Sequence, residues 1–512
     1  MVKTKIIQNS IWVIGFITIG KLLSLLRDLF ISSKFGANKE TDSFFLANTI
    51  PSIIFSAVLI SIASLIVPFY NKIKLSQKEN VDIFISRLIN FILLGSLFLL
   101  VISLFNIKMF IEILAPGFDL QQQQRTIILA NILVLSFPLT ALTQILASVS
   151  NANNNNYSLH IIPVVSAIFV VVTLYLINSD DIKILAISSV VVFVIQILIQ
   201  ILIVKRYFKY HFSFIFWDKN IKAIMILSLP VFLGLSIEQI NNTVNTMIAS
   251  KSGEGVLSAL NYALRLESVI NSTIITALIT TSFPTLSSYF EIKKTLEFNS
   301  LLFFLIKTII IVLLPIAIFI STNTLDIIKI IYLRGNFDLR TVELTSNVFI
   351  FFSINILFAS LRELLLRIMY ILGYTKISYI LSGISIFITI TFSLTFYKSL
   401  GIKAFGISCL LSSIFGIIFL LFYATKYKVL VLKDLFDFLK SLLIPFIIIM
   451  IMVMYINNLF YFINPIIDIS FKFILSILVF YIIAVITKQK DILELYKIGS
   501  NKFCNLIIKN NH

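Results

Sequence analysis

The sequence predicts an all-α integral membrane protein of about fourteen transmembrane helices, arranged as two six-helix lobes plus two C-terminal helices. Three observations predict it. The chain of 512 residues is 59% hydrophobic and only 13% charged, with a mean hydropathy of +1.02, whereas a soluble domain keeps roughly 25% charged residues. Apolar stretches recur from end to end, each near the ~20 residues needed to cross ~30 Å of hydrocarbon as a helix. A pattern of short motifs in the first half returns in the second.

Taken in order, the apolar runs predict spans at 6–33, 43–70, 83–106, 126–149, 158–178, 183–204 and 222–250. They continue at 258–286, 300–321, 344–371, 377–397, 403–425, 438–458 and 466–487. Helix is the expected form because hydrocarbon offers the backbone no water, so each segment must satisfy its own hydrogen bonds. The first run lacks a small-residue cleavage site and is interrupted by Lys21, so it reads as a retained span. Runs longer than the bilayer must tilt, kink or extend beyond it.

Lys and Arg cluster in alternate loops, including Lys72/Lys74/Lys78, Lys205/Arg206/Lys209/Lys219/Lys222, Lys293/Lys294 and Lys426/Lys428/Lys433/Lys440. That bias predicts both termini on the cytoplasmic side, in keeping with an even number of spans. The tail beyond 488, with Leu493, Leu495, Tyr496, Ile498, Phe503 and Leu506 among lysines, predicts an amphipathic helix on the cytoplasmic face.

The repeat is visible in two places. Ser33-Lys34-Phe35-Gly36 followed by Pro68 corresponds to Ser250-Lys251-Ser252-Gly253 followed by Pro284. The end of the fourth span at Ala147–Tyr157 corresponds to the end of the tenth at Ile368–Ser378. The offset equals six spans. It predicts an N-lobe at 1–215, a C-lobe at 216–430, two extra spans at 431–487 and a cytoplasmic amphipathic tail at 488–512. Two similarly oriented lobes with a seam between them suit alternating access.

Several function classes are excluded. The net charge of +17 lies in short loops rather than in a nucleic-acid-binding patch. Cys409 and Cys504 make no metal or redox spacing, and His160, His211 and His512 are scattered. No phosphate loop or nucleophile motif is present, so no metal, no cofactor and no enzymatic activity is expected.

The informative residues are charges inside apolar runs. Each costs at least ~2.5–3.5 kcal/mol at a helix centre unless it is paired or faces water. The first span carries Lys21, Arg27 and Asp28, with Lys21 and Asp28 on one face. The seventh carries Glu238 beside Gln239, Asn241, Asn242, Thr243 and Asn245; the eighth carries Arg265 and Glu267. The tenth carries Arg362, Glu363 and Arg367. At the seam these groups would make a basic cavity suited to an anionic substrate, phosphate above all, because guanidinium binds phosphate oxygens bidentately. Three features read as structural: an Arg367–Glu363 salt bridge at the interface, a snorkelling Arg87, and a solvated loop at Asn153–Asn156.

Leu26-Arg27-Asp28-Leu29-Phe30, Phe35-Gly36-Ala37, Thr41-Asp42-Ser43-Phe44-Phe45 and Ile50-Pro51 resemble the opening of the lipid II flippase family (MviN/MurJ). That family belongs to the multidrug/oligosaccharidyl-lipid/polysaccharide flippase superfamily. Gln239-Ile240-Asn241, Ala249-Ser250, Leu260–Leu266 and Pro284-Thr285-Leu286-Ser287 are similar to its second lobe, and Leu365–Lys376 to the end of its tenth span. The resemblance implies transport of an undecaprenyl-pyrophosphate-linked peptidoglycan precursor from the inner to the outer leaflet of the bacterial cytoplasmic membrane. It implies Lys21, Arg27 and Arg265 as cavity bases with Asp28 and Asp42 as acids; Glu267 and Arg362 complete the substrate-binding candidates. Glu238 and Asn245 are candidates for ion coupling. The implied partners are the lipid-linked precursor and the bilayer, with other cell-wall synthesis proteins as further candidates.

The sequence also departs from the family pattern. Phe55 stands where many members have a base, Arg265 and Glu267 are spaced by two rather than three, and Asn245 replaces an aspartate used for sodium. Ser382 and Ser385 stand among apolar neighbours where members place polar groups. These departures count against sodium coupling. They also keep open a flippase for another undecaprenyl-linked oligosaccharide, such as an O-antigen or capsule unit. A cation-coupled drug exporter fits less well, because the cavity is basic, and a membrane glycosyltransferase lacks its acids.

Overall fold

The computed structural model describes residues 2–76, 80–153, 157–176, 181–213, 217–374, 376–427, 432–460 and 462–486. All regular structure among these residues is helical. The first predicted span is α1 (Val2–Phe35), and the second is built from α2 (Lys39–Pro51), a π-helical turn (Ser52–Ser56) and α3 (Ala57–Ser76). The third is α4 (Val81–Leu114), the fourth α5 (Leu120–Leu133) and α6 (Ser136–Ala152), the fifth α7 (Tyr157–Leu176) and the sixth α8 (Lys183–Val204). Then follow α9 (Lys219–Ser250), α10 (Val256–Glu291), α11 (Thr295–Thr322) and the short α12 (Thr324–Tyr332). The chain continues through α13 (Leu339–Ile371), α14 (Lys376–Leu400), α15 (Lys403–Lys426), α16 (Leu432–Leu459) and α17 (Pro465–Ile486). This is an all-α integral membrane protein. Among the described residues, nine helices are long and apolar enough to cross a bilayer by length and composition. The predicted amphipathic tail at 488–512 and Asn154–Asn156 lie outside the described residues.

Two local features were not predicted. The nine residues of α12 are too few to span, so a search for long apolar runs passes over them. The second span is not one uniform helix. Pro51 lacks an N–H and crowds the preceding turn, and the chain answers with the wider π-helical turn that follows it.

Short polar side chains start the helices. Asn38 accepts from the N–H groups of Glu40 and Thr41, while the Asn38 N–H donates to Thr41 Oγ1, which together make a capping box. Asn80, Asp119, Asp218 and Asp338 cap α4, α5, α9 and α13 in the simpler way. Asp119 lies outside the spans, and its hydrogen bond from Lys39 holds its carboxyl below the ordinary value of 3.8.

The helices fall into two compact units. The first comprises Met1–Val269, Tyr332–Leu344 and Thr389–Ile402. Within it α1 packs on α7, α2 on α5, α3 on α6 and α9, and α8 on both α6 and α7. The second comprises Ile270–Ile331, Thr345–Ile388 and Lys403–His512. Its apolar centre includes Leu302, Ile309, Ile356, Leu365, Ile368 and Leu420, and α11 packs on α16 and α17. A buried ion pair sits in α17, where Lys472 Nζ lies 2.6 Å from Asp468 Oδ2. The second Asp468 oxygen accepts from the Phe462 N–H at 3.0 Å, so the carboxylate is fully engaged.

Candidate functional site

The first unit holds an open-sided cavity of ≈ 620 Å³ and, sharing part of its wall, one of ≈ 210 Å³. Arg27, Asn48, Ser166, Gln196 and Arg265 border both. Two helices far apart in sequence, α1 and α10, supply the charges. Arg27 donates to Asp28 Oδ1 from Nε at 3.1 Å and from Nη2 at 2.8 Å. Arg265 reaches the other carboxylate oxygen, with Nε 3.8 Å from Asp28 Oδ2. Asp28 is nearly buried, its side chain 9% exposed, while that of Arg265 is 49% exposed. Two guanidinium groups thus share one carboxylate, which leaves the cluster one positive charge in excess beside the cavity. The arrangement can hold an anion, and most readily an oxyanion able to accept paired N–H donors.

The rest of the wall is polar without charge. Ser136, Thr140, Thr143 and Gln144 of α6 face the larger cavity, joined by Ser189 and Gln196 of α8. Gln196 Nε2 donates to Ser166 Oγ of α7. The π-helical turn adds Ser52, Phe55 and Ser56. Phe55 stacks on Phe137 with ring centroids 5.3 Å apart, and Ser56 Oγ accepts from Gln239 Nε2 of α9 at 3.3 Å. This uncharged wall was missed by a reading that followed ionisable residues. Its signal in the sequence is Gln144 and Gln196, two amides placed within otherwise apolar runs.

A second cluster gathers at the end of α1. Asp42 is buried, and its carboxylate accepts from the Gly255 N–H at 2.7 Å, the Ser258 N–H at 2.8 Å and the Ser258 hydroxyl at 2.6 Å. It therefore caps α10 from α2. Tyr262 Oη donates to the Gly36 carbonyl at 2.9 Å, and the Asn336 N–H donates to the Ser33 carbonyl at 2.7 Å. Gly36, Gly255 and Gly335 all have positive φ, and a Cβ on any of them would collide with backbone across the contact. The rings of Phe45, Tyr332 and Phe337 pack around Tyr262. Two motifs separated by over two hundred residues thus close into one latch.

The remaining described candidates line neither cavity. Lys21 and Glu267 are half-buried and border neither cavity. Arg362 belongs to the second unit, with its stem against Gly416 and Nη1 3.5 Å from Ser385 Oγ. The Asn245 Oδ1 atom is buried in α9 without a hydrogen-bond partner, as is that of Asn241. The Glu238 side chain lies outside the described residues. Arg367 and Glu363 form the expected bridge at 2.8 Å. Arg87 has a partner that the sequence did not single out, with its Nη1 3.3 Å from Asp218 Oδ2 at the start of α9.

Comparison with known proteins agrees with the geometry. The family model for the lipid II flippase MurJ matches residues 31–471. A probable lipid II flippase MurJ of Buchnera aphidicola subsp. Baizongia pistaciae is 28% identical over 436 residues, covering 80% of this chain and 81% of that one. A solved lipid II flippase MurJ in an inward closed conformation superposes with a TM-score of 0.80 at 22% identity, over 94% of this chain and 99% of that one. An inward-facing MATE-family multidrug transporter superposes with a TM-score of 0.64 at 12% identity. It covers 80% of this chain and 95% of that one. At these identities the two structures establish a shared fold.

Proposed function

Because the chain belongs to the lipid II flippase MurJ family, we propose that it carries lipid II from the inner to the outer leaflet of the cytoplasmic membrane by alternating access. The observation that carries the reading is the pair of guanidinium groups, Arg27 and Arg265, sharing Asp28 at the cavity. The pyrophosphate of the precursor matches that charge and donor geometry. The uncharged wall of α6 and α8 suits the hydroxyl and amide groups of a sugar–peptide head group, while the prenyl tail stays in lipid. No covalent step is required, since the cargo is moved unchanged. A carrier of another lipid-linked oligosaccharide is not favoured, because the matched family model runs through both halves of the chain.

On this reading residues 1–215 and 216–430 act as the two rocking lobes, 431–487 as added spans and 488–512 as a surface tail. Both termini face the cytoplasm, which puts the Asp42 latch on the outer side. A closed latch then keeps the cavity sealed from outside while cargo loads from within. Lys21, Glu267 and Arg362 remain the further substrate-binding candidates, and Glu238 with Asn245 those for ion coupling.

Arg27→Ala and Arg265→Ala test the carrying observation. Each is expected to abolish complementation of cells depleted of the protein, with outer-leaflet lipid II falling and membrane insertion intact. Full activity in both variants would overturn the role of the basic cluster. Unchanged outer-leaflet lipid II on depletion of the protein itself would overturn the cargo.

A further inference from the structure

The described residues 209–213 that follow α8 are tied to a neighbouring helix. Asp82, Ser86 and Asn90 recur every four residues on one face of α4, and that stripe holds this linker segment. The Lys209 N–H donates to Asp82 Oδ2 at 3.3 Å, and the His211 N–H donates to Ser86 Oγ at 2.9 Å. Tyr210 Oη donates to Asn90 Oδ1 at 2.7 Å, while Asn90 Nδ2 donates to the Ser213 carbonyl at 3.0 Å. Beyond it, Arg87 and Asp218 pair at 3.3 Å, and the Phe91 and Trp217 rings lie 5.4 Å apart.

With this backbone fixed on α4, several of the described side chains beside it are exposed. Lys205, Arg206 and Lys209 are exposed, and none is within ion-pair distance of an acid among the described residues. Tyr207, Tyr210, Phe212 and Trp217 are exposed beside them, at 38%, 50%, 69% and 54%. Bases interleaved with exposed aromatic rings are the composition of a membrane–water boundary. Directly under this rim lies a groove of ≈ 420 Å³ between α4, α6 and α8. Ile89, Leu93, Leu142, Leu146 and Ile201 line it, and its polar side chains are Lys205 and Tyr210 at the linker. The helices on either side expose Leu94, Leu97, Leu198 and Leu202.

We propose that this groove is a binding site for an anionic phospholipid, with an acyl chain between α4, α6 and α8 and the headgroup phosphate held by Lys205, Arg206 and Lys209. Charge complementarity selects this occupant. An apolar peptide would leave three neighbouring bases uncompensated, and a zwitterionic lipid would bring its own cation to them. The site is separate from the Arg27–Asp28–Arg265 cavity, with which it shares no lining residue. Its occupant is a bound lipid that braces the linker on α4, not cargo.

Native mass spectrometry of the full chain, released from detergent with phosphatidylglycerol or phosphatidylcholine of the same acyl length, tests the proposal. The unmodified protein should retain one phosphatidylglycerol in preference to phosphatidylcholine. Lys205→Glu/Arg206→Glu/Lys209→Glu should weaken phosphatidylglycerol at least tenfold. Leu93→Trp, which fills the groove and leaves the bases in place, should also remove the retained lipid. Equal retention of the two lipids by the unmodified protein overturns the proposal. So does undiminished phosphatidylglycerol retention in Leu93→Trp, or in the triple variant. These readouts do not involve lipid II, so failure here leaves the transport reading standing, and the reverse holds.

Discussion

Replacing Asp42 by Asn separates a latch from a substrate ligand. The carboxylate accepts three hydrogen bonds, from Gly255 just before α10 at 2.7 Å and from Ser258 at 2.8 and 2.6 Å, in a buried setting. An amide keeps only one accepting oxygen and turns an NH₂ toward N–H groups that also donate. A hydrogen bond to a charged group contributes ~1.5–3 kcal/mol, so the loss of one sets the expected weakening at about 2 kcal/mol. On the proposed alternating-access reading, only the closed arrangement contains this contact. The ratio of open to closed molecules should therefore rise about 30-fold, at ~1.4 kcal/mol for each factor of ten.

The assay places a cysteine at Asn48, which borders both cavities, in a chain with Cys409 and Cys504 replaced by Ser. A membrane-impermeant maleimide added to intact cells then reports access from outside. Asp42→Asn should raise the labelling rate, and Ser258→Ala should raise it less, since two N–H donors to Asp42 remain. An unchanged rate in Asp42→Asn, together with lost transport, would refute the latch and return Asp42 to the substrate.

Gly335→Ala should weaken the neighbouring contact with the end of α1, because φ there is +59° and the added Cβ would meet the Ser33 carbonyl. Faster labelling at the Asn48 position, or a melting temperature lowered by several degrees, is the expected outcome; wild-type values for both would count against it. In α17, Lys472→Met should lower stability by ~3–5 kcal/mol by leaving Asp468 buried without its cation. Asp468→Leu/Lys472→Met should recover most of that loss in a thermal unfolding series in detergent, and no recovery would mean that the pair acts beyond mutual neutralisation.

The sequence exposes what depends on local spacing and hides what depends on long-range approach. Spans are legible because an apolar run of sufficient length has few alternatives in a bilayer. Arg27, Asp28 and Arg265 are legible because charges within such runs require partners, and the structure brings these three together. The Arg367–Glu363 bridge is a four-residue pair on one helix and can be read directly. Arg87 is different, since its partner Asp218 lies on the far side of four helices in the chain and nothing local points to it. Asp42 stands out within a motif, but its work as a cap for α10 depends on an approach that no spacing reveals. The uncharged cavity wall is hidden for another reason. Its hydroxyls can satisfy themselves on the preceding turn, as Thr140 and Thr143 do, so their presence in a span demands no partner.

The geometry around Asp28 also bears on how a carrier of this kind releases its cargo. Arg27 makes two hydrogen bonds to one carboxylate oxygen, whereas Arg265 sits 3.8 Å from the other, beyond hydrogen-bonding distance. On the proposed reading, an arriving pyrophosphate engages Arg265 first, because that guanidinium gives up the weaker contact and is the more exposed. Arg27 must trade Asp28 for the phosphate, and the exchange limits how tightly the anion is held. A carrier needs that limit, since binding both faces with two uncompensated cations would favour capture over release. When the cargo leaves, Asp28 recovers both arginines and the cluster returns to its paired state. The carboxylate is therefore as much a part of the transport cycle as the two bases, because it supplies the competing anion that frees them.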